Sequence, residues 1–234
     1  MDPIRLNANW YQGGTVRVAQ GLLGKTLARR LSSGEVLRGT IVEVEAYLAQ
    51  GDSASHSSRG KTPGNATMFA TPGTLYVYPI HSRHCLNVVT ELEGRGAAVL
   101  IRAVEPESGI TAMWNQRHST EAPQPMTKRD LQTLTQGPGR LCEAFQVDRG
   151  IDGDFLPGSQ RIWIEQATAL LRTHKFATRK SPRIGISTAQ ERLLRFFADG
   201  NHFVSGLARN HSRGRTWSFF HGGKDERPGS VEDD

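Results

Sequence analysis

The sequence is short of cysteine and long apolar runs, and each shortage excludes something. Cys85 and Cys142 are the only cysteines, too few for a disulfide-stapled secreted domain or a four-thiolate zinc site, so a reducing interior is expected. No stretch reaches the roughly 18 consecutive apolar residues of a membrane span. Met1–Trp10, with Asp2, Pro3, Arg5 and Asn7, has no apolar centre of a secretory leader. The expected location is the cytoplasm, nucleoid-associated in a bacterial cell, with no membrane partner. There is also no excess of acid: 29 Lys and Arg face 23 Asp and Glu, a net charge of +6. That balance favours a polyanionic partner without identifying it.

At 234 residues the chain is long enough for one substantial mixed core. It carries no internal repeat and no linker between composition regimes. Gln20–Leu31 (QGLLGKTLARRL) has apolar residues near helical spacing with Arg29 and Arg30 outside, which predicts a short amphipathic helix. Gly24-Lys25-Thr26 lacks the upstream glycine and strand of a phosphate-binding loop, so an ATPase is set aside. Val36–Leu48 is rich in β-branched residues and alternates beyond Thr40, the pattern of a strand. Val42, Val44, Ala46 and Leu48 are expected on one face, and Glu43, Glu45 and Tyr47 on the other. Ala49–Thr74 is polar, holds His56, Arg59, Lys61 and Asn65, and is too long for a mere connection.

Strands are predicted at Thr74–Ile80 and Ala97–Val104, the latter with Arg102 in an otherwise apolar run. A helix is predicted at Glu105–Asn115, a polar loop at Arg117–Lys128, and a short helix after the Gly137-Pro138-Gly139 turn. Arg161–Glu165 reads as a strand, Ser181–Ile186 as a strand or turn. Gly222–Asp234 has no apolar anchors and is expected to be disordered.

An acid beside an aromatic on one strand face is the first chemical signal. A carboxylate can take a proton from water as a general base, and an aromatic wall can pack on a planar ligand. An isolated strand glutamate is ordinarily a solvated charge, and Glu43 is read that way. Tyr47, Tyr76 and Tyr78 could equally pack a sheet; context lifts Tyr47 and Tyr78 above that reading, but not Tyr76. Arg102 fits a structural partner of a buried acid as well as a catalytic one, because a neighbouring guanidinium keeps a carboxylate ionised.

The segments VEVEAYL, D-x-x-S-H, TPGN, MF, PGTLYVY, CLNVV, VLIRAVEP, GPGRLC and PRIGI occur in order from about Gly21 to Ser205. In that order they resemble the alkyladenine (3-methyladenine) DNA glycosylase family. The resemblance implies a mixed α/β (α+β) single domain over residues 21–207, with a curved, largely antiparallel sheet flanked by helices, like a formyltransferase C-terminal domain. Residues 1–20 would then be an N-terminal extension and 208–234 a tail. It implies a monofunctional enzyme that flips alkylated or deaminated purines from double-stranded DNA and hydrolyses the N-glycosidic bond in base excision repair, as a monomer without metal or organic cofactor.

Family roles fall on Glu45 as general base, and on Arg102 and the backbone of Ile184 as positioners of the attacking water. Tyr47 and Tyr78 become walls around the base, with Leu100 in the same pocket. His56 meets the base edge, and Asn87 helps to reject the exocyclic amine of guanine. Departures accompany the match. The family reads Y-G-M after its YVY strand, the tyrosine acting as intercalating wedge, whereas this chain reads His81-Ser82-Arg83 after Pro79 and is one residue shorter before Cys85. His81 is the substitute at the wedge position, and Gly64 stands where the family has an arginine.

Two rival readings are kept. His81-x-x-His84-Cys85 offers three zinc ligands without a fourth. A non-catalytic nucleic-acid-binding module, or an inactive relative with an altered wedge loop, would use the same basic surface without cleaving a bond. A bifunctional lyase lacks an identifiable amine nucleophile.

Overall fold

The structure, a computed structural model, describes residues 3–166, 177–207, 211 and 215–217; the expected disorder of 222–234 lies outside them. Its organising element is the long strand β2 (Val36–Tyr47). One edge of β2 pairs with β5 (Ala98–Ser108), and the other is divided between β1 (Thr26–Arg30) and β8 (Arg195–Ala198). Outward from β5 come β4 (Arg83–Val89) and β3 (Leu75–Ile80), and outward from β8 come β7 (Thr178–Ser181) and β9 (Arg215–Trp217). β6 (Ile162–Glu165) extends the sheet from β1. All these pairings are antiparallel, and the sheet is curled.

Five helices pack on one face: α1 (Ala8–Tyr11), α2 (Thr15–Leu22), α3 (Ile110–Arg117), α4 (Lys128–Thr135) and α5 (Pro138–Ala144). Tyr11, Val18, Leu22, Met113, Leu134 and Leu141 from the helices share one apolar core with strand residues such as Leu27, Ile41, Val44 and Ile101. The packing runs unbroken through residue 20, because α1 and α2 belong to this core. Two smaller apolar clusters lie apart from it, one around Val42, Ala103 and Phe197, the other around Met68, Tyr76 and Ala98. The long loop after β2 is built, with 3-10 turns at His56–Arg59 and Ala66–Phe69.

Local pattern and structure part at several places. The helix expected at Gln20–Leu31 is two elements: α2 ends at Leu22, Gly24 turns the chain with φ 78°, and residues 26–30 form β1 between β2 and β6. Pairing on both edges outweighs the helical spacing of the leucines. The helix expected at Glu105–Asn115 starts later, because β5 runs on to Ser108 and Gly109, at φ 75°, makes the corner into α3. Strand β4 was not among the predicted strands.

The register of β2 against β5 shifts on both sides of Glu43. This bulge interrupts the alternation, so Val42 leaves the face of Val44 and joins the smaller cluster. The same irregularity overturns the reading of Glu43 as a solvated charge, since its exposure is 0%.

Candidate active site

Strand register assembles the site. Across β3, β4, β5, β2 and β8 the paired residues are Tyr76, Asn87, Leu100, Glu45 and Arg195, one row of side chains on a common face. Glu45 stands in that row with an exposure of 0%. Its Oε2 accepts the Tyr47 hydroxyl at 2.9 Å and lies 3.2 Å from Arg102 Nη1. Its Oε1 accepts the backbone N–H of Ile184 at 2.8 Å. The sequence-predicted acid, guanidinium and backbone amide therefore meet, with both donors directed at the carboxylate. Burial opposes the charge on Arg102, yet Glu45 and Glu43 outweigh it and raise its pKa above the ordinary guanidinium value.

Above this group opens a cleft of about 770 Å³ whose lining includes Tyr47, His56, Tyr78, Leu100, Arg102 and Ile184. That volume suits a ligand the size of a nucleoside. Burial raises the phenol pKa values of Tyr47 and Tyr78, with Glu45 adding to the shift at Tyr47, so both remain neutral. The His56 ring lies 4.4 Å from the Tyr78 ring, and its Nδ1 is 2.9 Å from the Tyr76 hydroxyl. Burial lowers the pKa of His56, favouring the neutral imidazole, and pushes Tyr76 up to about 12. Tyr76, read from sequence as packing alone, thus fixes the histidine. Asn87 lies deeper, in a small recess shared with Tyr76, Met68 and His56, and its amide donates to the Tyr76 carbonyl at 3.0 Å.

The loop that carries His56 is pinned. Asn65 Nδ2 donates to the His56 carbonyl at 2.8 Å, and Ser55 caps the 3-10 turn by accepting from Ser57 N. Asp52 accepts Leu48 N at 3.0 Å and Ala54 N at 3.3 Å, and pairs bidentately with Arg183 at 2.6 and 2.7 Å. Both side chains are fully buried, and the Arg183 guanidinium lies 4.6 Å from the Tyr47 ring centroid. Arg183 immediately precedes Ile184, so the pair ties the His56 loop to the segment that delivers the Ile184 amide. Asp52 and Arg183 were not singled out from sequence; a charged residue in PRIGI and an acid opening D-x-x-S-H were the available signals.

His81 stands apart from this assembly. It occupies the exposed turn between β3 and β4 with φ 52°, beside a shallow hollow formed with Ile80, Ser82, Arg83 and Gly139. Strand alternation sends His84 and Cys85 to opposite faces. Among the described residues no three His, Cys, Asp or Glu side chains converge on one ion position. None of the described helices is long and apolar enough to cross a membrane.

The sequence model of the methylpurine-DNA glycosylase family matches residues 9–202. A Rhodopirellula baltica protein with the provisional name 3-methyladenine DNA glycosylase is 48% identical over 212 residues, covering 90% of this chain and 87% of the relative. An Alkaliphilus oremlandii protein of the same provisional name is 41% identical over 207 residues, 86% of this chain and 99% of the relative. The mouse DNA-3-methyladenine glycosylase is 39% identical over 210 residues, 88% of this chain and 62% of the mouse protein. With its sheet, its cleft and these matches in agreement, the chain belongs to the methylpurine-DNA glycosylase family and is a DNA glycosylase, a hydrolase of N-glycosyl bonds.

Proposed function

We propose that the protein flips alkylated or deaminated purines out of duplex DNA into the 770 Å³ cleft and releases them with water deprotonated by Glu45. The substrate class is that of 3-methyladenine, 7-methylguanine, hypoxanthine and ethenoadenine. The observation that carries this reading is the buried carboxylate of Glu45, fixed by Tyr47, Arg102 and the Ile184 amide beneath aromatic walls.

A carboxylate offers about four acceptor positions. Three are taken by those donors, two on Oε2 and one on Oε1. The remaining position on Oε1 is available to a water. Arg102 and Ile184 act on that water through the carboxylate they orient. Alkylation leaves a positive charge on the purine, so the glycosidic bond is already weakened, and a positioned base contributes typically about 10²- to 10⁴-fold. The negative charge of Glu45 also stabilises the sugar as it becomes cationic.

Extrusion costs roughly a few kcal/mol. Stacking on Tyr47 and Tyr78 offsets it, at about 1–3 kcal/mol per base, with more for a cationic ring. Neutral His56 offers Nε2 to the base edge while Tyr76 holds Nδ1, and Asn87 sets the depth of the recess. His81, on its exposed turn, fills the space the nucleotide leaves. Among the described residues no side-chain amine joins these groups, and the product is an intact abasic site.

The test is single-turnover incubation with methylated duplex DNA, identifying released bases by mass spectrometry. Wild-type protein should release methylpurines, and Glu45→Gln should bind lesion duplex normally while losing release by at least about 100-fold. Equal release by both proteins would refute the reading; binding without release by wild type would favour a non-catalytic module.

A further inference from the structure

Glu45 is not the only buried acid beneath the cleft. Glu43, on the same strand, has an exposure of 0% and is held by three donors. Arg102 Nε reaches its Oε1 at 3.1 Å, Arg195 Nε the same oxygen at 2.6 Å, and Ser205 N its Oε2 at 2.7 Å. Arg102 Nη2 also donates to Ser205 Oγ at 3.3 Å, tying that serine to both side chains. Arg195 is fully buried as well, donating to Ser181 Oγ at 2.9 Å and Ser205 O at 3.0 Å over the Phe197 ring. The chain Glu45–Arg102–Glu43–Arg195 alternates in sign and sums to zero charge.

We propose that Glu43, anchored by Arg195 and Ser205, is a positioning residue for hydrolysis, holding Arg102 on Glu45 and balancing the second buried guanidinium. This rests on Glu45 being the base. A buried ion pair contributes little net stability compared with apolar residues of the same size, and Arg102 with Glu45 alone would already be neutral. The second pair acts where it touches the first. Arg102 meets Glu45 through Nη1 and Glu43 through Nε, so its planar fork cannot turn from one acid without leaving the other. Neutralising Glu43 would also leave two cations facing one anion, and surplus positive charge makes Glu45 a weaker base. Neutralising Arg195 would leave surplus negative charge and do the reverse.

Among the described residues, the charged and titratable groups facing Glu45 come from each neighbouring element: Arg102 on β5, Tyr47 on β2, Tyr78 on β3, Cys85 on β4 and Arg183 after β7. Substitutions at positions 43 or 195 replace none of these side chains and reach Glu45 only through Arg102 and the charge balance, so they test the second pair.

The experiment measures single-turnover release of 7-methylguanine, whose ring is already cationic, against pH. Glu43→Gln should move the acid limb down by about one pH unit and lower the plateau about 10-fold. Arg195→Gln should move the limb up, and the double variant Glu43→Gln/Arg195→Gln should return it. Glu43→Asp, which keeps the charge but shortens the reach, should lower the plateau without moving the limb. The opposite shifts of the single variants mean that either one, folded, is a sufficient test. Loss of rate with an unmoved limb in either folded single variant overturns the proposal and leaves Glu43 a structural residue. If Glu45→Gln still releases base, the assignment beneath it fails instead; if Glu45→Gln is inactive and no limb moves, only the role of Glu43 fails.

Discussion

The floor of the cleft and the β3–β4 hairpin at its rim are built in opposite ways. On the floor each charged group has several buried partners: Glu45 holds three donors, and Asp52 and Arg183 form a bidentate pair sealed from solvent. On the rim, Pro79 to Arg83 are exposed, Ile80 at 44%. Its nearest ionic anchor is the solvent-washed pair of Arg83 and Glu143, with side-chain exposures of 47% and 34%. Chemistry that must position one water needs groups whose geometry is settled beforehand. A surface that meets a deformable duplex can remain adjustable. Substitutions on the floor should therefore change rate or folding, and those on the rim should change only how DNA is engaged.

The sharpest break in this contrast is Glu45→Gln, expected to cost about 10²- to 10⁴-fold in base release with little change in DNA affinity. Next is Asp52→Asn, which leaves Arg183 buried without its counter-ion. Breaking such a pair costs about 3–5 kcal/mol, read as a lowered melting temperature, whereas Arg83→Gln on the rim, at a side chain 47% exposed, should cost about 1 kcal/mol or less. Acid should expose the same difference. Burial pushes the Asp52 carboxyl up, but Arg183 and the amides of Leu48 and Ala54 outweigh it and hold its pKa below the ordinary value. The stability it contributes is full above about pH 4, the unfolded carboxylate value, and is lost as pH falls through the lower folded value. In acid unfolding followed by circular dichroism, wild type should lose stability below about pH 4 more steeply than Asp52→Asn. Parallel curves would deny Asp52 this role.

Much of the floor was legible in the sequence, because period-two alternation in VEVEAYL puts Glu45 and Tyr47 on one face and the motif order supplies Arg102 and Ile184. The bulge at Glu43 was not legible. It misassigned Val42, and it hid that Glu43 is solvated by Arg195 and Ser205, partners more than 150 residues away. Tyr76 was undervalued for a similar reason, since its meaning comes from His56 in a loop whose path sequence periodicity does not describe. Residues 26–30 show the complementary failure, where apolar spacing fitted a helix but two neighbouring strands decided otherwise.

A smaller effect tests the floor from within. Tyr47→Phe keeps the aromatic wall but removes the hydroxyl that donates to Glu45 Oε2. A hydrogen bond to a charged group contributes about 1.5–3 kcal/mol, and with Arg102 and Ile184 still in place the lower end applies, about 10-fold in single-turnover rate. A loss in DNA affinity instead of rate would mean that the hydroxyl serves the ligand and not the carboxylate.

The smallest expected effect belongs to the rim. His81 lies on an exposed turn away from the floor, and its φ of 52° already places a side chain where the hairpin turns. If it fills the gap left by a flipped nucleotide, its value lies in duplex DNA, where unstacking a base step costs a few kcal/mol that an inserted side chain partly returns. His81→Ala should then weaken binding to lesion duplex by about 3- to 10-fold, a fraction of that unstacking cost. Release from single-stranded lesion DNA, which has no gap to fill, should stay unchanged. His81→Tyr, with its larger stacking surface, should bind duplex at least as tightly as wild type. Equal losses of His81→Ala on duplex and single strands would mean that the side chain contacts the nucleotide itself, and the division between a fixed floor and an adjustable rim would have to be redrawn at that residue.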